Sequence, residues 1–145
     1  MKRILAIVLI CSLIFAFAGC FGLRPEQAKA DIFKLVQDNY DAILTACEGN
    51  DSQALLAIDG VTKVNSLGRF IIVYCKGAGI APSSQDYGFY YSTDDAHIGV
   101  GCGPAPVCTQ DKMQPKGNGY EAVINGNVFY TERIQGKIYF YSNAY

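Results

Sequence analysis

Two hydrophobic periods divide the chain. Ile32, Leu35, Val36, Tyr40, Ile43, Leu44 and Cys47 recur at three- and four-residue steps, with Lys34, Gln37, Asp38 and Asp41 on the opposite side. That spacing predicts one amphipathic helix over 25–48. Pro25 suits its first turn, and Gly49-Asn50 suits its end. Asp51-Ser52 then predicts a cap for a shorter helix carrying Ala54, Leu55, Leu56 and Ile58. From Arg69 the period falls to two. Phe70 to Cys75 reads as a central strand, and Val61 to Asn65 as a short strand before it. In Tyr87 to Ser92, Tyr87, Phe89 and Tyr91 share one face, while Gly88 and Tyr90 share the other. His97 to Gly101 is expected to pair back on that strand. Three closing strands follow, Tyr120 to Ile124, Val128 to Ile134 and Lys137 to Ser142, the first two joined by the hairpin signal Asn125-Gly126. Gly101 to Gly119 reads as a long loop. The sum is an α+β domain: a helix packed on an antiparallel meander sheet of five to six strands.

The helical stripe reads as the face that packs on the sheet. The paired faces of the closing strands raise a second issue. Phe129, Thr131 and Arg133 share a face with Tyr139 and Tyr141, and Tyr90 joins them. Exposed, these residues would form a Tyr/Arg surface able to stack on a sugar or grip a protein. Covered, they are cross-strand pairs that stabilise the sheet. Tyr90, Arg133, Tyr139 and Tyr141 are therefore the candidate binding residues.

Ahead of both periods stands a third pattern. Lys2 and Arg3 precede an apolar run from Ile4 to Phe17, which small residues close at Ala18-Gly19-Cys20. The run is short for a membrane span and has the layout of an export leader. Two cut sites fit. Ala16-Phe17-Ala18 offers an ordinary cut after Ala18. Phe17-Ala18-Gly19-Cys20 resembles the lipobox of bacterial lipoproteins, departing from it at Phe17, where that family usually carries Leu. The resemblance implies a cut before Cys20 and a lipid, such as palmitate, on that residue. The expected organisation is a signal peptide over 1–19, a lipidated tether over 20–24 and a single domain over 25–145. The expected place is the outer face of a bacterial cell membrane, or a secreted soluble form if the cut follows Ala18. The segment Gly77 to Ser92, with Tyr130-Thr131-Glu132-Arg133, also resembles uncharacterised small exported proteins of Firmicutes. That likeness supports export and implies no site.

Composition fits this picture. The chain has 145 residues, no Trp and ten Tyr, and all the Tyr lie beyond the leader. Loss of Lys2 and Arg3 would leave 10 basic against 13 acidic residues, a net charge of −3. Without a basic patch, nucleic acid is a poor partner. Export changes the reading of the six Cys. Cys11 leaves with the leader and Cys20 takes the lipid. Cys47, Cys75, Cys102 and Cys108 remain, an even set in an oxidising compartment. Of the three pairings four cysteines allow, spacing favours Cys102–Cys108 across Gly103 to Val107, with Cys47–Cys75 tying helix to strand. A zinc site lacks a Cys-x-x-Cys pair, and His97 is the sole His.

Catalytic patterns are weak. Asp94, Asp95 and His97 are close in sequence, but an Asp-rich turn bonds its own backbone. Ser83-Ser84 lacks a nucleophile elbow, and no phosphate loop, dinucleotide fingerprint or EF-hand appears, so no cofactor is expected. Glu121 and Glu132 across the last hairpins are a candidate glycosidase pair. The leading expectation is a non-enzymatic, surface-tethered binding domain for an extracellular protein or glycan. The alternatives are a hydrolase of cell-wall or other polymer, which requires a cleft holding at least two of Asp94, Asp95, His97 and Glu132, and an immunity or inhibitor lipoprotein.

Overall fold

The computed structural model describes residues 24–78, 84–101, 103 and 105–145. The leader, the lipobox, Cys20, Ser83 and Cys102 lie outside the described residues. Among those described, no helix is long and apolar enough to cross a membrane.

The expected long helix is two helices. Helix α1 spans Pro25–Asp38, with Pro25 in its first turn and Glu26 beside the positive end of its dipole. Ala28, Ile32 and Val36 form its fully buried stripe. Helix α2 spans Tyr40–Glu48 and buries Ile43, Ala46 and Cys47. The break is at Asn39, whose φ of −120° and ψ of 20° leave the helical region. Its side-chain amide donates to the Leu35 carbonyl at 2.9 Å, so the side chain competes for a backbone acceptor. The apolar stripe runs on through the break, which is why the pattern reads as continuous. Asn50 then takes a left-handed φ of 52°. Asp51 caps helix α3 (Ser52–Leu56), accepting from the Gln53 and Ala54 amides at 3.0 Å each.

Among the described residues nine strands follow: β1 Lys63–Leu67, β2 Phe70–Ala78, β3 Gln85–Ser92, β4 Gly99–Val100, β5 Pro106–Cys108, β6 Gln114–Lys116, β7 Gly119–Ile124, β8 Asn127–Gln135 and β9 Ile138–Ala144. Seven form one antiparallel sheet in the order β1-β2-β3-β9-β8-β7-β6. The α+β class holds, and the sheet is larger than the expected five or six strands. It is two meanders joined where the C-terminal strand β9 inserts against β3. The Asn125-Gly126 turn forms as expected, with φ of 53° and 83°, the left-handed pair a two-residue hairpin needs.

The helices cover one face. Ile71, Val73, Cys75, Tyr87, Phe89, Tyr91, Ile138 and Phe140 meet the α1 and α2 stripes there. The segment after β3 covers the other face. Instead of pairing back on β3, Gly99 and Val100 pair with β5 in a separate two-stranded ribbon. Position β3 could have offered is taken by β2 on one side and β9 on the other. The ribbon, with Ile98, lies over Phe70, Ile72, Tyr90, Tyr139 and Tyr141. Gly88 permits the packing: a Cβ there would overlap the Val73 carbonyl oxygen and lie 2.8 Å from the Tyr141 hydroxyl.

The expected disulfides are not formed. Cys47, Cys75 and Cys108 are free thiols, all buried. Cys47 on α2 and Cys75 on β2 are both packed in the buried cluster under the helices, as separate thiols. Burial pushes both thiols up to about 12, so they act as small apolar core groups. Cys108 turns inward to accept a hydrogen bond from the Gly99 amide and to pack with Met113 and Ala122.

Candidate functional site

The candidate binding tyrosines share a sheet face, as their strand spacing predicts, but they do not form an exposed surface. Tyr90 and Tyr141 have no exposed area and Tyr139 is 3 % exposed. The Tyr90 and Tyr139 rings stack with centroids 5.1 Å apart and planes 6° apart. The Tyr90 hydroxyl accepts from the Ile98 amide at 3.0 Å. Thr131 donates its hydroxyl proton to the Phe140 carbonyl at 2.9 Å, so at 2.9 Å from Tyr90 it acts as acceptor. These bonds satisfy polar groups in a closed layer, where an unpaired one would be costly. The ribbon is pinned to the same layer from its far side. The Asn143 side chain donates to the Val100 carbonyl at 3.1 Å and accepts from the Asp86 amide at 3.1 Å.

At the edge of this layer stands Arg133, the one candidate binding residue with an exposed side chain. It reaches Asp95 with both guanidinium ends, at 2.7 and 3.0 Å, and lies over the Tyr139 ring at 4.7 Å. The Tyr139 hydroxyl donates to the same Asp95 at 2.9 Å. Arg133, followed by Tyr139, holds the Asp95 carboxyl below its ordinary range. Asp95 sits at a left-handed φ of 61°, which this geometry imposes on the turn after β3.

The residues a hydrolase would need are dispersed. Asp95 is taken by Arg133, and Asp94 pairs with Arg69 at 2.8 Å and accepts from Ser92 at 3.0 Å. His97 is buried and stacked on Tyr120, centroids 3.7 Å apart and planes 11° apart; burial, then Arg133, lowers its pKa. Glu132 is on the opposite, helix-covered face, where it pairs with Lys29 and accepts from Tyr130 at 2.6 Å. Glu121 shares that face, since its register partner is Tyr130, and Lys116 holds it at 3.3 Å. No described cleft brings two of Asp94, Asp95, His97 and Glu132 together.

A different group of residues does surround an open space. A cleft of about 540 Å³ lies between the turn after β3 and the 3-10 turn Gln110–Lys112. Ala96 and Ile98 form its apolar floor. Arg69, Asp94, Thr109, Gln110 and Asp111 supply its polar walls. Arg69 also lies over the Phe70 ring at 5.0 Å, which holds the guanidinium at the rim. The Thr109 hydroxyl bonds to Asp111 and is the first cause of that carboxyl's lowered pKa. For Asp94, burial opposes ionisation, but bonds from Ser92 and the backbone and the charge of Arg69 outweigh it and lower the pKa. Sequence reading reached only Asp94 of this group. Arg69 lies far upstream, and Thr109 to Asp111 sit in a stretch whose Gly and Pro content reads as loop.

No protein-family model matches the chain, and no curated protein or solved structure is significantly similar to it. Among the described residues, no group of three or more His, Cys, Asp or Glu is placed to hold a metal ion.

Proposed function

We propose that the chain is an exported lipoprotein, cut before Cys20 and held by lipid on that residue to the outer face of a bacterial membrane. Its folded domain then binds an extracellular glycan or protein without chemistry of its own. The leader from Met1 to Cys20 supports the location. One observation carries the binding reading: the cleft in which Arg69, Thr109, Gln110 and Asp111 surround the apolar floor of Ala96 and Ile98. An apolar floor with a few directed polar groups suits a sugar ring or a peptide strand. The Tyr/Arg surface does not support this reading, because its rings are covered.

The test is a binding screen of the processed protein against wall glycans and surface proteins, repeated with Arg69→Ala and with Asp111→Ala. A ligand retained by the parent and weakened tenfold or more by both substitutions supports the reading. A blank screen, or a ligand indifferent to both, counts against it.

One observation favours hydrolysis as a second reading: Asp94 and Asp111 border the same cleft. Both carboxyls are held low, however, whereas a general acid needs a raised pKa. Release of product from wall polymer that disappears in Asp94→Asn and Asp111→Asn would support hydrolysis and displace the binding reading.

A further inference from the structure

The walls of the cleft carry unequal charge. Arg69 supplies one positive charge, against negative charges on both Asp94 and Asp111. Arg69 and Asp94 satisfy each other at 2.8 Å, and Ser92 bonds the other Asp94 oxygen at 3.0 Å. Asp111 is differently placed. Thr109 bonds its Oδ1, and among the described residues no Lys or Arg makes an ion pair with it. Lys112 acts on it only through its charge and does not line the cleft. The Thr109 bond, followed by smaller contributions from the backbone and Lys112, outweighs burial and holds the carboxyl below its ordinary range, so it is ionised at neutral pH. An ionised carboxylate accepts about four hydrogen bonds. Asp111 therefore keeps acceptor sites, and an unmatched negative charge, at the wall of the cleft.

The other walls narrow what can meet that charge. Gln110 sets an amide, both donor and acceptor, beside Asp111. Arg69 gives Asp94 one N–H and has four more, with the Phe70 ring holding its guanidinium at the rim. An amide and a guanidinium together match the N–H and C=O of a peptide group. The floor of Ala96 and Ile98 suits a run of methylenes, which long cationic side chains lay along apolar surface while the charged head stays wet. A sugar ring instead lays its C–H face on an exposed aromatic ring, and among the described residues lining the cleft none is aromatic. We propose that the cleft binds a peptide segment through a lysine-type side chain, with its methylenes on Ala96 and Ile98, its ammonium on Asp111 and its flanking peptide groups on Gln110 and Arg69. This ligand class presupposes the binding reading of the cleft and narrows it from glycan or protein to an amine-bearing peptide.

The test is an NMR titration of the isotope-labelled processed protein made from the full chain, with the Gln110 and Asp111 amide resonances reporting the site. The probes are acetyl-Ala-Lys-Ala-amide, the same peptide acetylated on its lysine, acetyl-Ala-Glu-Ala-amide and a glucosamine tetramer. The proposal expects the lysine peptide to shift both resonances and to bind about tenfold tighter than its acetylated form, the low end for a charge-assisted hydrogen bond. Asp111→Asn should abolish that difference, and Asp111→Lys should reverse the preference toward the glutamate peptide. Residue 111 is exposed, so both variants keep the fold. Equal affinity for the two lysine peptides, or a difference that survives Asp111→Asn, overturns the proposal while the cleft stands as a binding site. So does a glucosamine tetramer that shifts the same resonances when the lysine peptide does not. No shift there with any probe overturns the proposal and the binding reading together.

Discussion

Arg133 grips Asp95 from 38 residues away, with two guanidinium nitrogens on two carboxylate oxygens and the Tyr139 ring beneath. This clasp closes the edge of the buried tyrosine layer and holds the segment that leads into the ribbon. Both partners are about half exposed, so solvent screens the pair and its worth is below about 1 kcal/mol. Asp95→Asn, which tolerates the left-handed turn, should lower stability by that amount in urea titrations, and high salt should shrink the difference. The sign with pH follows from the lowered carboxyl pKa. The contribution is present above the unfolded value near 4 and is lost as pH falls through the folded value, so parent and variant should converge in acid.

Deeper in the layer the stakes are larger. Tyr90→Phe removes the acceptor of the Ile98 amide and the donor to Thr131, both buried. Leaving a buried polar group unpaired costs about 1–3 kcal/mol. Thermal unfolding should show a clear drop for Tyr90→Phe, larger than that of Asp95→Asn. An unchanged midpoint would mean that the ribbon does not seal the tyrosine face.

Gly88→Ala tests the same layer sterically. The added Cβ meets the Val73 carbonyl and the Tyr141 hydroxyl, and backbone cannot move aside as a flexible side chain can. A cost of about 1–3 kcal/mol or more is expected from overpacking, read as a lowered midpoint in denaturant.

His97 supplies a pH dependence of its own. Its folded pKa lies below the ordinary imidazole value of about 6.5, burial being the first cause. Between the folded value and about 6.5 the unfolded chain binds more protons, so stability rises with pH through that window and is lost as pH falls through it. His97→Gln should flatten the rise of stability with pH in the window just below about 6.5.

Much of the fold is legible in the pattern of residues, and the failures have physical causes. Ala28, Ile32 and Val36 mark the helix face because a stripe needs only local spacing. Asn125-Gly126 marks its hairpin because few residue pairs tolerate two left-handed φ values. The break at Asn39 is hidden, since Tyr40 and Ile43 continue the apolar period across it. Strand order is hidden too. Nothing local in Ile138 to Ala144 says that β9 lies between β3 and β8. Burial of Tyr90, Tyr139 and Tyr141 depends on a cover built from Ile98, Val100 and Gly-rich backbone, a stretch with little apolar signal. The same stretch hid the cleft, because Thr109 to Asp111 meet Arg69 and Asp94 only after the ribbon has folded back.

Thiol chemistry distinguishes the observed core from a crosslinked one. Alkylation in denaturant without reductant should label Cys47, Cys75 and Cys108, while native protein should protect Cys47 and Cys75, whose thiols burial pushes up to about 12. Labelling of Cys47 and Cys75 only after reduction would mean a bridge and a different packing of α2 on β2.

The lipid anchor is the claim on which the proposed role turns, and mass measurement of the mature N-terminus after palmitate labelling tests it directly. The account predicts a first residue of Cys20 carrying label, with label and membrane retention both lost in Cys20→Ala. An unlabelled mature chain beginning at Gly19, released in soluble form, would contradict it.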